Sequence, residues 1–253
     1  MKILFTICGR AGSKGIKNKN IRNLLGKPLV YWTLSAIDLY IKKQCSVPDF
    51  YYDIALNTDS IELLNIVSDN NMVKTEYVNR KDELAGDVIG KIDVIRDTYF
   101  SMVDRKSVNY DVVVDFDITS PLRTIKDIEN LINKFTSGVY DVVFSVTDSR
   151  RNPYFNMVQR NINGKIEKVI NSNFTSRQQA PIVYDMNASL YAYSPDFLKL
   201  NKQLFDSNCE VIEMVDTAVL DLDKPIDFEL MEVLAKYFID TNSNFEEILT
   251  NIK

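Results

Sequence analysis

The chain contains no histidine in 253 residues. That absence excludes Ser-His-Asp hydrolysis, imidazole acid–base chemistry and histidine-ligated metals. Any catalysis must use carboxylates, lysine, or a metal held by oxygen ligands. Cysteine is scarce too. Cys8, Cys45 and Cys209 lie far apart and form no CxxC pair, so neither a zinc site nor a disulfide framework is supported. All three are expected as buried, reduced thiols. No apolar run approaches the roughly 20 residues that span a bilayer. The apolar stretch after Lys2 runs into a charged loop without a small-residue cleavage site, so it reads as a first strand, and a cytoplasmic location is expected.

Net charge is −5 and the pI about 5.0, which argues against nucleic acid or an anionic membrane as partner. The charge is unevenly spread. Residues 1–37 carry seven bases (Lys2, Arg10, Lys14, Lys17, Lys19, Arg22, Lys27) and no acid, while the rest holds 23 bases against 35 acids. A small polyanion bound in one basic pocket fits this distribution.

That island coincides with glycine. Four of the 8 glycines fall in the first 26 residues, three of them in Gly9-Arg-Ala-Gly-Ser-Lys-Gly15, directly after the strand-like Ile3–Ile7. Glycines let backbone N–H groups close on an anion, and interleaved cations neutralise it. The spacing is Gly-x-x-Gly-x-x-Gly, which matches neither GxGxxG nor the Walker pattern, so dinucleotide oxidoreductase and P-loop ATPase both drop. A loop that is merely basic and solvated is the competing reading.

Apolar runs alternate with helical patterns along the chain, the mark of an α/β fold with a mostly parallel sheet covered on both faces. Strands are expected near Ile3–Ile7, Tyr52–Asn57, Val73–Tyr77, Asp111–Phe116, Asp141–Thr147, Ser189–Tyr193 and Val211–Met214. Helices are expected near Leu29–Ile41, Ser60–Asn70, Val88–Asp104, Ile125–Phe135 and Asp227–Ile239, the last packing on the sheet through Phe228, Met231, Val233, Leu234 and Phe238. Thr124 with Asp127 has capping-box spacing, which puts Thr119–Thr124 at the carboxyl end of a strand, where open α/β sheets bind ligands. Residues 150–184 read as an inserted hairpin turning at Asn163-Gly164. No linker or repeat divides residues 1–253, so one domain is expected.

The run Gly9 to Arg22, followed by Gly26-Lys27-Pro28-Leu29, resembles the amino-terminal signature of the acylneuraminate cytidylyltransferases, the CMP-sialic acid synthetases. Further motifs follow in order: Arg80 with Leu84, Ala85 and Asp87; Asp117-Ile-Thr-Ser-Pro-Leu-Arg-Thr124; Arg177-Gln-Gln-Ala-Pro181; Asn187 with Tyr191; and Leu220-Asp-Leu-Asp223. The resemblance implies a Rossmann-like nucleotidyltransferase fold. It also implies a reaction in which the anomeric hydroxyl of a nine-carbon 2-keto sugar acid attacks the α-phosphate of CTP, giving CMP-sugar and pyrophosphate. Such a transfer depends on positioning and on charge neutralisation by cations and Mg²⁺, which suits a chain without histidine.

By the same resemblance, Arg10, Gly12, Ser13, Lys14 and Lys19 hold the triphosphate, Asn20 lies near the base, and Arg80 lines the cytidine pocket. Lys14, Arg10 and Asp223 are the catalytic candidates. Lys17 and Arg22 fall off the motif and read as solvated charges. Asp221 and Asp223, spaced i, i+2 on an extended segment, share one face and match the family's Mg²⁺ pair; the alternative is that Asp223 starts the helix after Pro225. Arg177 is the candidate for the sugar carboxylate, which a guanidinium pairs through two parallel bonds. Asp117, Gln179, Asn187 and Tyr191 complete the sugar side.

Two departures stand out. Asp117 replaces a common Gln, and Asp185 stands where a cation often precedes the Asn. With Arg151-Asn-Pro-Tyr-Phe-Asn-Met157 and Tyr184-Asp-Met-Asn-Ala188, they resemble the bacterial branch that activates legionaminic acid. Family members are homodimers whose inserted arm reaches the neighbouring active site, and the resemblance implies that residues 150–184 are its counterpart; Tyr154, Phe155 and Met157 read first as interface, with core or a cover over the substrate as the alternatives. Other sugar nucleotidyltransferases, a glycosyltransferase using Asp115-x-Asp117 as its metal motif, and a scaffold that has lost turnover remain as alternatives.

Overall fold

The computed structural model describes residues 1–12, 16, 18–86, 89–215, 222 and 224–252. Strand β1 (Lys2–Gly9) leads to the two-residue strands β2 (Asn23–Leu24) and β3 (Lys27–Pro28), joined at Leu25-Gly26. Both joining residues have positive φ, 49° and 76°, as a tight primed turn requires. Then come α1 (Leu29–Gln44), β4 (Tyr51–Thr58), α2 (Ile61–Ser68), β5 (Glu76–Asn79), α3 (Lys91–Lys106), β6 (Val112–Phe116), α4 (Ile125–Thr136) and β7 (Val142–Asp148). The ribbon β8 (Val158–Arg160) and β9 (Ile166–Lys168) follows, then β10 (Tyr184–Tyr193), α5 (Pro195–Lys199), β11 (Cys209–Glu213), α6 (Pro225–Thr241) and α7 (Ser243–Asn251).

Seven strands form one sheet in the order β11-β7-β10-β6-β1-β4-β5. Among the described strands of this sheet, β10 alone runs antiparallel to its neighbours. The alternation of strand side chains sorts the core into two layers. Ile3, Phe5 and Ile7 join Val112, Val114 and Phe116 under α1, α4 and α7. Leu4 joins Ala55, Val78 and Val113 under Ile95, Tyr99 and Met102 of α3 and Phe197 and Leu198 of α5. Thr6, Cys8 and Asp115 fall on the α3 face by the same alternation. That places polar groups beneath the start of α3.

All seven expected sheet strands and all five expected helices are present. The strand read at Val73–Tyr77 begins later, at Glu76, because the Asn70 side chain accepts from the N–H groups of Met72 and Val73 and holds them in a turn. The Thr124–Asp127 capping box forms in both directions. Helices α5 and α7 were not expected; α7 follows α6 after the single residue Asn242, whose side chain caps it. Helix α6 departs from expectation in its packing. It buries Phe228, Met231 and Ala235 and meets mainly α7 and β2, while Val233 is 64% exposed. Arg22 lies over the Phe228 ring at 4.7 Å, so this charge is stacked as well as solvated. The three thiols are free, but Cys45 is exposed at the end of α1 and the other two are half-buried, against the expectation of burial for all three. No helix among the described residues is long and apolar enough to cross a membrane.

Candidate functional site

Chain direction fixes where a ligand can sit. β1 leads through α1 to β4 on one side, whereas β5 leads through α3 to β6 on the other, so the switch point lies between β1 and β6. Open α/β sheets bind ligands outside the carboxyl ends of their strands at such a point. The described candidates gather on this edge, after β1 (Arg10, Gly12), β5 (Arg80) and β6 (Asp117).

The first loop departs from Gly9, where a side chain would require Leu63 and Ile118 to shift. A Cβ on Gly9 would lie 2.5 Å from Leu63 Cδ2 and 2.8 Å from Ile118 Cδ1. Gly12 adopts φ +70°, in the left-handed region. The Ala11 N–H donates to Asp59 Oδ1 at 2.8 Å, and Asn20 Nδ2 donates to Arg10 O at 3.0 Å, pinning the loop's entry. Arg10 Nη1 reaches Ala85 O at 3.5 Å. Lys19 opens the 3-10 turn Lys19–Ile21 and is half-buried. Ser13 and Lys14 lie outside the described residues, as do Asp221 and Asp223.

Arg80 is 6% exposed and donates through Nε to Asn57 Oδ1 (3.0 Å) and through Nη2 to Asn57 O (3.3 Å). Burial pulls its pKa below the usual arginine value, opposed by Cys8, Asp59 and Asp115. Among the described residues no carboxylate pairs with it at ion-pair distance. Cys8 is pushed far above an ordinary thiol, first by burial and then by the charge of Asp115.

At the end of β6 the sequence reading is revised. Asp115 and Asp117 do share one face, but Lys91, the first residue of α3, lies between them, with Nζ 2.7 Å from Asp115 Oδ2 and 2.8 Å from Asp117 Oδ2. The ammonium occupies the place a metal shared by these two carboxylates would need, which removes the glycosyltransferase reading of Asp115-x-Asp117. Asp117 Oδ1 accepts from both the backbone N–H and the hydroxyl of Thr119, each at 2.7 Å. Burial raises the Asp117 pKa, but Lys91 and Thr119 outweigh it and hold the group well below the ordinary carboxylate range. Burial likewise works against Lys91, yet the two carboxylates keep its pKa above the usual lysine value.

Arg123, 0% exposed, braces the loop that follows. Its Nη2 donates to the carbonyls of Asp117 and Ser120, and its guanidinium lies 5.3 Å from the centre of the Phe116 ring. Burial draws its pKa down to about 10. Neither Lys91 nor Arg123 was singled out from the sequence. Two carboxylates at one strand end require a cation nearby, and a lysine opening a helix, where the dipole disfavours positive charge, was the available signal.

The sugar-side candidates are placed by β10 and the arm. Arg177 donates to Ser149 O (3.1 Å) and Arg150 O (2.6 Å), tying the arm to the end of β7. It lines a cleft of about 300 Å³ with Ser149, Asn152, Tyr184 and Glu213. Asn187 is buried: Oδ1 accepts from Ser145 Oγ at 2.5 Å, and Nδ2 faces Met214 Sδ. Gln179 Oε1 accepts from the N–H and hydroxyl of Thr175, and Tyr191 stacks between Phe144 and Tyr193. Asp185, in place of a cation, accepts from Ser149 Oγ at 2.9 Å.

Residues 4–248 match the model of the family described as "Cytidylyltransferase". The chain is 34% identical over 235 residues to "Post-translational flagellin modification protein B" of Campylobacter coli, covering 93% of this chain and 95% of that one. It is 33% identical over 233 residues to a CMP-N,N'-diacetyllegionaminic acid synthase of Campylobacter jejuni, covering 92% and 94%. Among solved structures, a CMP:2-keto-3-deoxy-manno-octonic acid synthetase complexed with CTP superposes with a TM-score of 0.63 at 15% identity, over 94% of this chain and 99% of that one, which shows the fold. Fold, ligand-facing edge and sequence agree: the chain belongs to the cytidylyltransferase family.

Proposed function

We propose that this chain transfers the cytidylyl group of CTP to the anomeric hydroxyl of a nine-carbon 2-keto sugar acid of the legionaminic type, releasing pyrophosphate. The observation that carries the reading is Arg80, a buried guanidinium at the ligand-binding edge with no carboxylate at ion-pair distance among the described residues. A buried cation needs compensation; Asn57 and the charges of Asp59 and Asp115 supply part of it, and a bound nucleotide would supply more. Arg10 stands on the same edge after β1, and Lys14 and Ser13, between Gly12 and Gly15, extend the anion grip. The likeness to the legionaminic acid synthase supports the choice of acid.

In this reading Arg177, Gln179, Asn187 and Tyr191, with Asp117, are the sugar-side residues. Asp221 and Asp223 would hold Mg²⁺, whose charge offsets that of the phosphates. In this reading catalysis consists of bringing the hydroxyl in line with the α-phosphate and neutralising the leaving group. The whole chain serves as one domain, and the arm around β8 and β9 is the dimer contact. Its Val158 (64% exposed), Ile162 and Ile182 leave apolar surface in water that a second copy would cover, and a two-stranded ribbon is marginal alone. Dependence on CTP and free thiols suits the cytoplasm.

The test is pyrophosphate release from the purified protein with CTP, Mg²⁺ and a panel of nonulosonic acids. Release is expected only when all three are present. No turnover with legionaminic, pseudaminic or sialic acid overturns the substrate assignment.

A further inference from the structure

Asp115 and Asp117 put two carboxylates at the switch point of a site that has to admit a polyphosphate and an acid. Asp115 is 0% exposed on a central strand, and its Oδ1 accepts from Thr6 Oγ1 at 2.8 Å. Its Oδ2 faces Lys91 Nζ at 2.7 Å, the one cation at ion-pair distance from it among the described residues. An ion so buried on a sheet strand is costly, and Lys91 is what offsets it. Asp115 therefore anchors Lys91, and Lys91 is left to hydrogen-bond Asp117 Oδ2.

The result is a fixed acceptor. Thr119 supplies two bonds to Asp117 Oδ1 and Lys91 one to Oδ2, and a carboxylate has about four acceptor sites. One site is left, on Oδ2, beside the Lys91 ammonium. The Asp117 side chain is 20% exposed and that of Lys91 32%, so this part of the cluster is open to solvent while Asp115 is sealed beneath it. An ionised acceptor repels phosphates and the substrate's own carboxylate. The group it selects is a donor, a hydroxyl or an amide N–H.

We propose that Lys91 is a positioning residue that acts through Asp117, presenting Asp117 Oδ2 to a hydroxyl or amide N–H of the sugar acid, with Asp115 as its buried anchor. This deepens the proposed function and rests on its assignment of a hydroxyl- and amide-bearing acid. The arrangement gives the Lys91, Asp115 and Asp117 trio one net negative charge where two bare carboxylates would carry two, and the reachable acceptor keeps one orientation.

The test separates KM for the acid from KM for CTP in Lys91→Met, Lys91→Arg and the double variant Lys91→Met/Asp115→Leu. The double variant removes both members of the buried pair, so it remains measurable if Lys91→Met alone fails to fold. The expected result is a KM for the acid raised tenfold or more in Lys91→Met and in the double variant, with KM for CTP changed less than twofold. Lys91→Arg, which keeps the charge, recovers part of the loss. An unchanged KM for the acid overturns the proposal, as does a KM for CTP rising in step, which would put the cluster under the nucleotide. Calorimetry of CTP binding keeps this failure distinct from failure of the functional reading. If the unmodified protein turns over no acid, the substrate assignment fails, whereas weaker CTP binding by Lys91→Met counts against the positioning role itself.

Discussion

Replacing Arg123 by Met is expected to destabilise the protein by about 3 kcal/mol while leaving the sheet intact. Its Nη2 bonds to the carbonyls of Asp117 and Ser120 brace the loop between β6 and α4, which β10 also holds through Ser189 and Asn187. Bonds from a charged donor contribute about 1.5–3 kcal/mol each, and both carbonyls would lose that donor, the Ser120 carbonyl keeping only the long bond from the Ser189 hydroxyl. Against this stands the relief of no longer burying a cation, the same burial that lowers the Arg123 pKa. Met replaces much of the volume beside Phe116, so the packing loss is small. The net of about 3 kcal/mol is a large share of the 5–15 kcal/mol typical of a folded domain. Urea unfolding followed through Trp32, the chain's one tryptophan and 1% exposed, reads the change directly. With a slope of about 2–3 kcal/mol per molar urea, the midpoint falls by about 1 M. Arg123→Lys recovers less than half, because one ammonium cannot reproduce the planar fork. A midpoint unchanged within error in Arg123→Met would refute the bracing role.

The other expectations are more local. Gly9→Ala, whose Cβ would meet Leu63 and Ile118 at 2.5 and 2.8 Å, should cost about 1–3 kcal/mol by thermal denaturation and weaken CTP binding; wild-type behaviour in both would show that the loop tolerates the displacement. With a thiol reagent at neutral pH, Cys45 should label in the native state, while Cys8 and Cys209, whose thiols burial pushes up, should wait for unfolding; equal rates for all three would contradict this. Asp117, with a depressed folded pKa, contributes stability present above about pH 4 and lost as pH falls below it, whereas Lys91, with a raised one, contributes stability present below about pH 10 and lost above it. Asp117→Asn should therefore flatten the acid side of the stability profile, and an unaltered profile would remove Asp117 from that dependence.

The sheet was legible because its strands are buried on both faces and read as apolar runs such as Ile3–Ile7 and Val112–Val114, bounded by turns and helices. The Thr124–Asp127 box and the Asn163-Gly164 turn were legible because each rests on interactions a few residues apart. What could not be read locally depends on tertiary placement. Helix α6 has apolar residues around much of its circumference, and only packing decides that Phe228 and Met231 go inward while Val233 goes out. The site divides in the same way. Arg10, Arg80 and Asp117 sit in motifs and on the expected edge, but the Lys91 ion cluster joins residues more than twenty apart across a helix and a strand. Arg123 lay inside a recognised motif, yet its burial under the loop it braces belongs to the fold.

The most direct measurement of the central claim is ³¹P NMR of the protein with CTP, Mg²⁺ and legionaminic acid. The three CTP resonances are expected to give way to a pyrophosphate resonance and one phosphodiester resonance of the CMP-linked acid, with equal molar amounts of the two products and therefore twice the intensity in pyrophosphate. CDP with inorganic phosphate, or CTP left intact across the panel of nonulosonic acids, would contradict it.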